Sequence, residues 1–246
     1  MDIKGCVAFV TGANRGLGAE YVQQLLDRGA SKVYAAARNP DSVKNSGAIP
    51  IQLDVTNAEH IRAALAECGD VSLLINNAGA VLGGRIMVEN SLENAKAEFE
   101  TNVWGPFNLS KAFAPVLAQN GGGCIVNVLS AVSWMSIKDV ATYAMSKSAA
   151  WSFTNGLRLE LARQGTQVVA VHPAFIDTDM AAGVDMPKTS PHQVVERTLN
   201  GLEAGDVEVL ADDTSAFVKN SLPKHIETFY PKFAKNQTSS ALLTTP

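Results

Sequence analysis

Ser130, Tyr143 and Lys147 carry the chemistry most easily read from this chain. Tyr143 and Lys147 are four residues apart, so on a helix they share a face. A phenol with an ordinary pKa of about 10 is a poor proton donor or acceptor near neutrality. A neighbouring ammonium stabilises the phenolate and lowers that pKa. The pair therefore suits general acid–base work, as acid toward a carbonyl being reduced or as base toward an alcohol being oxidised. Ser130 can hydrogen-bond the same substrate oxygen and hold it near Tyr143. Each feature alone is bland: YxxxK occurs by chance, Tyr–Lys pairs decorate helix surfaces, and a serine after a strand commonly caps a turn.

A second group of residues points to a phosphate-bearing ligand. The segment from Thr11 to Gly18 spaces Gly12, Gly16 and Gly18 around Asn14, Arg15 and Leu17, between an apolar run and a helix-period segment. Glycines there let backbone N–H groups and a helix N-terminus approach a pyrophosphate closely. Farther on, Arg38 ends the second apolar run, and no Asp or Glu occurs between Tyr34 and Pro40. An acid near this position would bind a ribose 2′-hydroxyl, whereas a guanidinium pairs with a 2′-phosphate. Arg15 and Arg38 together, with the acid absent, favour NADP(H) over NAD(H).

The elements that must position these residues follow from periodicity. Apolar runs at 6–11, 32–37, 49–54, 71–76, 124–130, 167–172 and 207–211 mostly lack polar alternation, as strands buried on both faces do. Helix-period segments separate them; in the first, Val22, Leu25, Leu26 and Gly29 fall at helical spacing. Such alternation predicts an α/β fold: a Rossmann-like, doubly wound, mostly parallel seven-stranded sheet with helices on both faces, as a single domain over 1–246. The 46% hydrophobic and 18% charged composition supports a sizeable core, and the 246 residues suit one α/β domain. A net charge of −4 argues against a nucleic-acid or anionic-membrane surface. Three scattered cysteines, no apolar run near the ~20 residues of a membrane span and no cleavage pattern at the N-terminus lead us to expect a cytoplasmic protein. The four histidines show no metal-ligand spacing. From about residue 222 the composition changes, which reads as a loosely held tail over 222–246.

The TGxxxGxG spacing of Thr11–Gly18, the run Asn76-Asn77-Ala78-Gly79 and the ordered Ser130, Tyr143 and Lys147 resemble the motifs of the short-chain dehydrogenase/reductase family. The resemblance spans roughly residues 3–221. It implies a Ser–Tyr–Lys catalytic set, with Asn102 helping to hold a proton-relay water beside Lys147. Asp54 and Val55 match the family's adenine contact, and Asn76, Ala78 and Gly79 line its cofactor cleft, where Tyr143 and Lys147 also touch the cofactor. Pro173, Ile176 and Thr178 fall in a segment resembling the family's nicotinamide contacts, although Ala174 replaces the usual glycine. Substrate contacts would come from Val132, Trp134, Met135, Phe175 and Met180, mostly apolar, which suits a hydrophobic carbonyl compound. Helices near 97–119 and 143–164 pair across two-fold axes in the family, so a homodimer or homotetramer is expected. Carbonyl reduction or alcohol oxidation is the leading reading. A non-catalytic NADP(H)-binding regulator, and family chemistry on imines or as epimerase or dehydratase, stay open on sequence.

Overall fold

In a computed structural model the apolar runs join into one sheet; residues 1–234 are described. The first half of the chain forms β1 (Val7–Thr11), α1 (Gly16–Asp27), β2 (Lys32–Ala37), β3 (Ile49–Gln52), α2 (Ala58–Glu67) and β4 (Leu73–Asn76). There follow α3 (Ser91–Phe99), a π-helical turn (Glu100–Trp104), α4 (Gly105–Gln119), β5 (Cys124–Val128), α5 (Ala141–Leu161) and β6 (Gln167–His172). The chain continues through α6 (Pro191–Ala204), β7 (Glu208–Leu210), α7 (Asp213–Asn220), α8 (His225–Phe229) and α9 (Pro231–Ala234).

The seven strands lie in the order β3-β2-β1-β4-β5-β6-β7, and every pairing is parallel. Strand residues alternate between two cores, one on each face of the sheet. Ala8 and Val10 of β1 pack with Tyr21, Val22 and Leu25 of α1 and Leu199 of α6. Phe9 points the other way, into a core with Leu109, Phe113 and Leu117 of α4. Because both faces are covered, all five residues of β5 are buried, which is why the strands read as continuous apolar runs.

The strand order reverses at β1, whose neighbours are β2 and β4. Open α/β sheets bind ligands at the carboxyl ends of the strands beside such a switch point. The glycine turn follows β1 and the Asn76–Gly79 segment follows β4, so both motifs meet there.

Several strands stop one or two residues short of the apolar runs, because the chain leaves the ladder to build the cleft. β3 ends at Gln52, although Leu53 N–H still donates to Ala37 O (2.9 Å). β5 ends at Val128, although Leu129 N–H still donates to Val171 O (2.8 Å). The tail expected over 222–246 falls on two kinds of residue. Residues 222–234 form a short turn followed by α8 and α9, and the Tyr230 hydroxyl accepts from Ser136 N–H at 2.7 Å. Residues 235–246 lie outside the described part of the chain.

Candidate active site

The glycine turn is held from below by the loop after β4. Thr11 Oγ1 accepts from Asn77 N–H (3.0 Å) and Ala78 N–H (2.9 Å), and Asn77 Nδ2 donates to Thr11 O (2.9 Å). The turn comes so close to its neighbours that side chains are excluded. A Cβ on Gly18 would lie 2.0 Å from Gly12 O, and one on Gly12 would lie 3.0 Å from Ala78 Cα. Gly16 has a positive φ of 53° and faces Thr178, whose methyl would sit 3.3 Å from an added Cβ. Arg15 caps α1 through an extended backbone without a side-chain hydrogen bond to the first turn. The helix N-terminus, with its dipole and free N–H groups, is therefore available to an anion. These features fit a dinucleotide pyrophosphate.

Basic side chains stand at the outer end of this cradle. Arg15 Nη1 lies 3.1 Å from Asp179 Oδ2, with both side chains exposed. Exposed as well, Arg38 follows β2 directly. Asp54 accepts from Thr56 N–H (2.9 Å) and Thr56 Oγ1 (2.7 Å). Its carboxyl is held below the usual range, first by the Thr56 N–H, with the Thr56 hydroxyl, Arg38 and His60 adding to this against partial burial. Val55 packs against Gly105, where a Cβ would come within 2.9 Å of its methyl.

The structure brings Ser130, Tyr143 and Lys147 together beyond the carboxyl end of β5. Ser130 is buried and extended at the end of β5; its Oγ donates to Pro173 O (3.3 Å) and accepts from Val132 N–H (3.3 Å). Tyr143 and Lys147 lie one turn apart on α5, with Lys147 Nζ 5.8 Å from the Tyr143 ring centre. The buried Lys147 Nζ donates to Val128 O (2.8 Å), and loss of hydration lowers its pKa to about 8. Tyr143 departs from the sequence expectation. Burial raises its phenol above the usual range, the Ser130 hydroxyl opposes this, and the Glu98 carboxylate adds to the rise. Dehydration of the phenolate outweighs the ammonium one turn away.

Asn102 sits in the π-helical turn and closes the inner wall. Its Oδ1 accepts from Ala80 N–H (2.8 Å), and its Nδ2 donates to Ala80 O (2.9 Å) and Ser146 Oγ (3.0 Å). Gly79 is trapped beside it, since a Cβ there would meet Asn102 Oδ1 at 3.3 Å. A cavity of about 10 Å³, lined by Asn76, Asn102, Asn127, Lys147 and Thr154 among others, opens behind Lys147. Asn76 Nδ2 donates to Asn127 Oδ1 (2.8 Å) and Ser110 Oγ (3.1 Å), while its buried Oδ1 has no partner among the described residues.

Comparison with known proteins settles the family. The model of the short chain dehydrogenase family matches residues 6–188. The chain belongs to the short-chain dehydrogenase family. It is an oxidoreductase of that family, whose members bind a nicotinamide cofactor. The 3-oxoacyl-(acyl-carrier-protein) reductase FabG of Vibrio cholerae is 34% identical over 194 residues, 75% of this chain and 79% of that one. The same enzyme of Salmonella typhimurium is 32% identical over 232 residues, 89% and 94% of the two chains. A short-chain dehydrogenase of Burkholderia cenocepacia, crystallised with NADP, superposes with a TM-score of 0.90 at 38% identity, covering 94% of this chain and 98% of that one.

In this dehydrogenase the segment after β6 forms the remaining wall. Ala131 N–H donates to Pro173 O (2.8 Å), and Ala174 N–H donates to Asp212 Oδ2 (2.7 Å). Ala174 has no positive φ; among the described residues Asn90 is the one non-glycine that does. Alanine therefore replaces glycine here without backbone strain. Ile176 packs against the core under α1 and pairs with Thr189, which closes the base of the 177–188 loop. At the expected substrate positions, Val132 is buried, Met135 and Phe175 are partly buried, and Met180 is exposed. Trp134 instead stacks on His172, ring centres 3.8 Å apart and 19° from parallel.

Three contributors escaped the sequence reading. Fully buried Glu98 accepts from Leu82 N–H (2.9 Å) and anchors the loop beyond Gly79. Asn127 links Asn76 to Thr154 inside the sheet. Asp212 caps α7 and holds Ala174 at once. A glutamate at helical spacing reads as a solvent face, and an Asp before a helix as an ordinary cap. Among the described residues no helix is long and apolar enough to cross a membrane, and no group of three His, Cys, Asp or Glu is placed to hold a metal.

Proposed function

We propose that the protein is an NADP(H)-dependent carbonyl reductase acting on a hydrophobic ketone or aldehyde. What supports the reading is that Ser130, Tyr143 and Lys147 share the carboxyl edge of the sheet with an uncapped α1 N-terminus and two exposed arginines. When bound, the nicotinamide supplies or accepts the hydride. Ser130 hydrogen-bonds the substrate oxygen and orients it. Tyr143 donates its phenolic proton to that oxygen in reduction. Lys147 places an ammonium under the phenol and stabilises it as the proton leaves. The cavity behind Lys147 has room for about one water, and Asn76, Asn127 and Asn102 are suited to hold a proton-relay water there.

Apolar side chains on the loops beside the cleft, including exposed Leu82, Met180 and Met186, support a hydrophobic substrate. The matched FabG enzymes, named for 3-oxoacyl groups, and a ketone-specific alcohol dehydrogenase of Comamonas testosteroni, 25% identical with a TM-score of 0.76 over 97% of this chain and 99% of that one, point to the same class. Exposed Trp104 and Phe107 beside Phe153 suit pairing with a second subunit. The test is NADPH and NADH oxidation against hydrophobic ketones, aldehydes, 3-oxoacyl thioesters and imines. Turnover of carbonyl compounds with NADPH supports the reading. Tight NADPH binding with no turnover of any of them would favour a regulatory role.

Two further outcomes follow. The Lys147 ammonium is charged below a pH of about 8 and neutral above it. Reduction at saturating NADPH should hold steady below that pH and decline above it. A kcat profile flat well into the alkaline range would remove the ammonium's charge from the step. Arg38→Asp should shift the NADPH-to-NADH preference toward NADH by about 10-fold to 100-fold, the worth of a charged hydrogen bond plus added repulsion. An unchanged ratio of kcat/KM values would place 2′-phosphate recognition elsewhere, with Arg15 the next residue to vary.

A further inference from the structure

Behind Ser130 lies a buried cluster that the reaction scheme leaves unused. His172, the last residue of β6, is fully buried. Its Nδ1 lies 3.0 Å from Ser130 O. One face stacks on Trp134, 3.8 Å between ring centres. Trp134 is in turn covered by Lys219 Nζ, 4.5 Å from its ring centre, and met edge-on by Trp151. Nε2 is 3.6 Å from Glu208 Oε1 and has no hydrogen-bond partner among the described residues. The other Glu208 oxygen is engaged by Lys219 at 2.7 Å.

We propose that His172 is a positioning residue for Ser130, gripping the serine's carbonyl through Nδ1–H while the adjoining Pro173 carbonyl accepts from its hydroxyl. A carbonyl oxygen can only accept, so Nδ1 must carry the proton. A neutral ring then leaves a lone pair on Nε2, facing a carboxylate oxygen that also only accepts. The 3.6 Å separation without a hydrogen bond agrees with that tautomer. Burial holds the ring's pKa down to about 4, against the pull of Ser130 O and Glu208, with Lys219 and Arg158 opposing protonation. The imidazole is therefore neutral across the working range.

The geometry gives the grip its consequence. Ser130 O also accepts Ser133 N–H (3.0 Å), closing the turn that carries Val132 toward the cleft. Ser130 Oγ donates to Pro173 O (3.3 Å), and Pro173 follows His172 directly. His172 thus holds the serine's carbonyl, and with it the backbone from which Oγ projects, while the hydroxyl rests on Pro173 O (3.3 Å) and must turn from it to donate to a substrate oxygen. Trp134 acts as the wall that stops the imidazole from rotating, which accounts for a large aromatic residue just past the serine.

This inference rests on the catalytic role proposed for Ser130, and its test separates the two. Nitrogen NMR of the histidine rings in the full-length protein reads the tautomer without any substrate. A protonated Nδ1 and bare Nε2 at His172 is expected; the reverse tautomer would overturn the proposal. Kinetics then ask whether the grip matters. His172→Asn keeps an amide donor near the Nδ1 position and should retain kcat within about threefold, whereas His172→Phe should lose about 10-fold to 100-fold, the scale of a misplaced reacting group. NADPH affinity should be unchanged in both. In a Ser130→Ala background His172→Phe should cost little more, because its effect passes through the serine. Additive losses, or equal losses in Asn and Phe variants, would refute positioning of Ser130. Full activity of Ser130→Ala alone would instead refute the serine's role, leaving the tautomer result to stand on its own.

Discussion

Tyr143→Phe is expected to lower kcat for carbonyl reduction by at least about 100-fold, the low end of what a positioned general acid contributes. NADPH affinity should stay within about threefold of the original, because the hydroxyl acts on the reacting oxygen and uniform binding is untouched. The substitution deletes one oxygen and keeps the ring, so the packing of α5 is preserved. Ser130 keeps its bond to Pro173 O, and Lys147 keeps its bond to Val128 O. A loss of kcat therefore cannot be assigned to collapse of the site. The measurement pairs single-turnover NADPH oxidation with a binding titration of NADPH by fluorescence. Undiminished single-turnover rate would remove Tyr143 from the proton transfer. A parallel loss of NADPH affinity would assign the effect to the cofactor contact that the family resemblance implies for Tyr143 rather than to proton transfer.

The parts of this molecule that could be read from sequence are those where one local rule determines the residue. Strands covered on both faces must be apolar throughout, so the runs before the glycine turn and before Ser130 declared themselves. The glycines declared themselves because backbone lies where Cβ atoms would go. What stayed hidden depends on contacts between distant segments. Glu98 looks like a solvent-facing helix residue until Leu82 is folded over it. Trp134 looks like a pocket residue, and its stacking partner His172 is contributed by a strand far along the chain. The phenol's direction of shift was also out of reach. Sequence spacing supplies the ammonium beside Tyr143, but the dehydration that outweighs it belongs to the assembled cleft.

Gly18→Ala is expected to produce the largest loss in cofactor binding of any single methyl added to the cleft. The new Cβ would sit 2.0 Å from Gly12 O, 2.6 Å from Asn77 Nδ2 and 2.7 Å from Gly12 C. Two of these are backbone atoms, so no rotamer change relieves the contact. Asn77 has little freedom either, since its Nδ2 donates to Thr11 O and its N–H to Thr11 Oγ1. Either the glycine turn lifts away from α1 or the helix start recedes from the turn. Both movements separate the N–H groups that converge on the pyrophosphate. Overpacking of this kind costs about 1–3 kcal/mol, which for a chain of this size lowers Tm by about 2–12 °C. NADPH affinity should fall by more than that, about 100-fold or beyond, because losing aligned charge-assisted hydrogen bonds costs about 1.5–3 kcal/mol each. Gly16→Ala supplies the contrast. Its Cβ meets only the Thr178 side chain, at 3.3 Å, and its main cost is the positive φ of 53°. It should be the milder variant in affinity. Isothermal titration with NADPH and a thermal melt on both proteins decide the matter. If folded Gly18→Ala binds NADPH as tightly as the unsubstituted protein, the turn relaxes without moving its N–H groups, and the pyrophosphate must be held from elsewhere in the cleft.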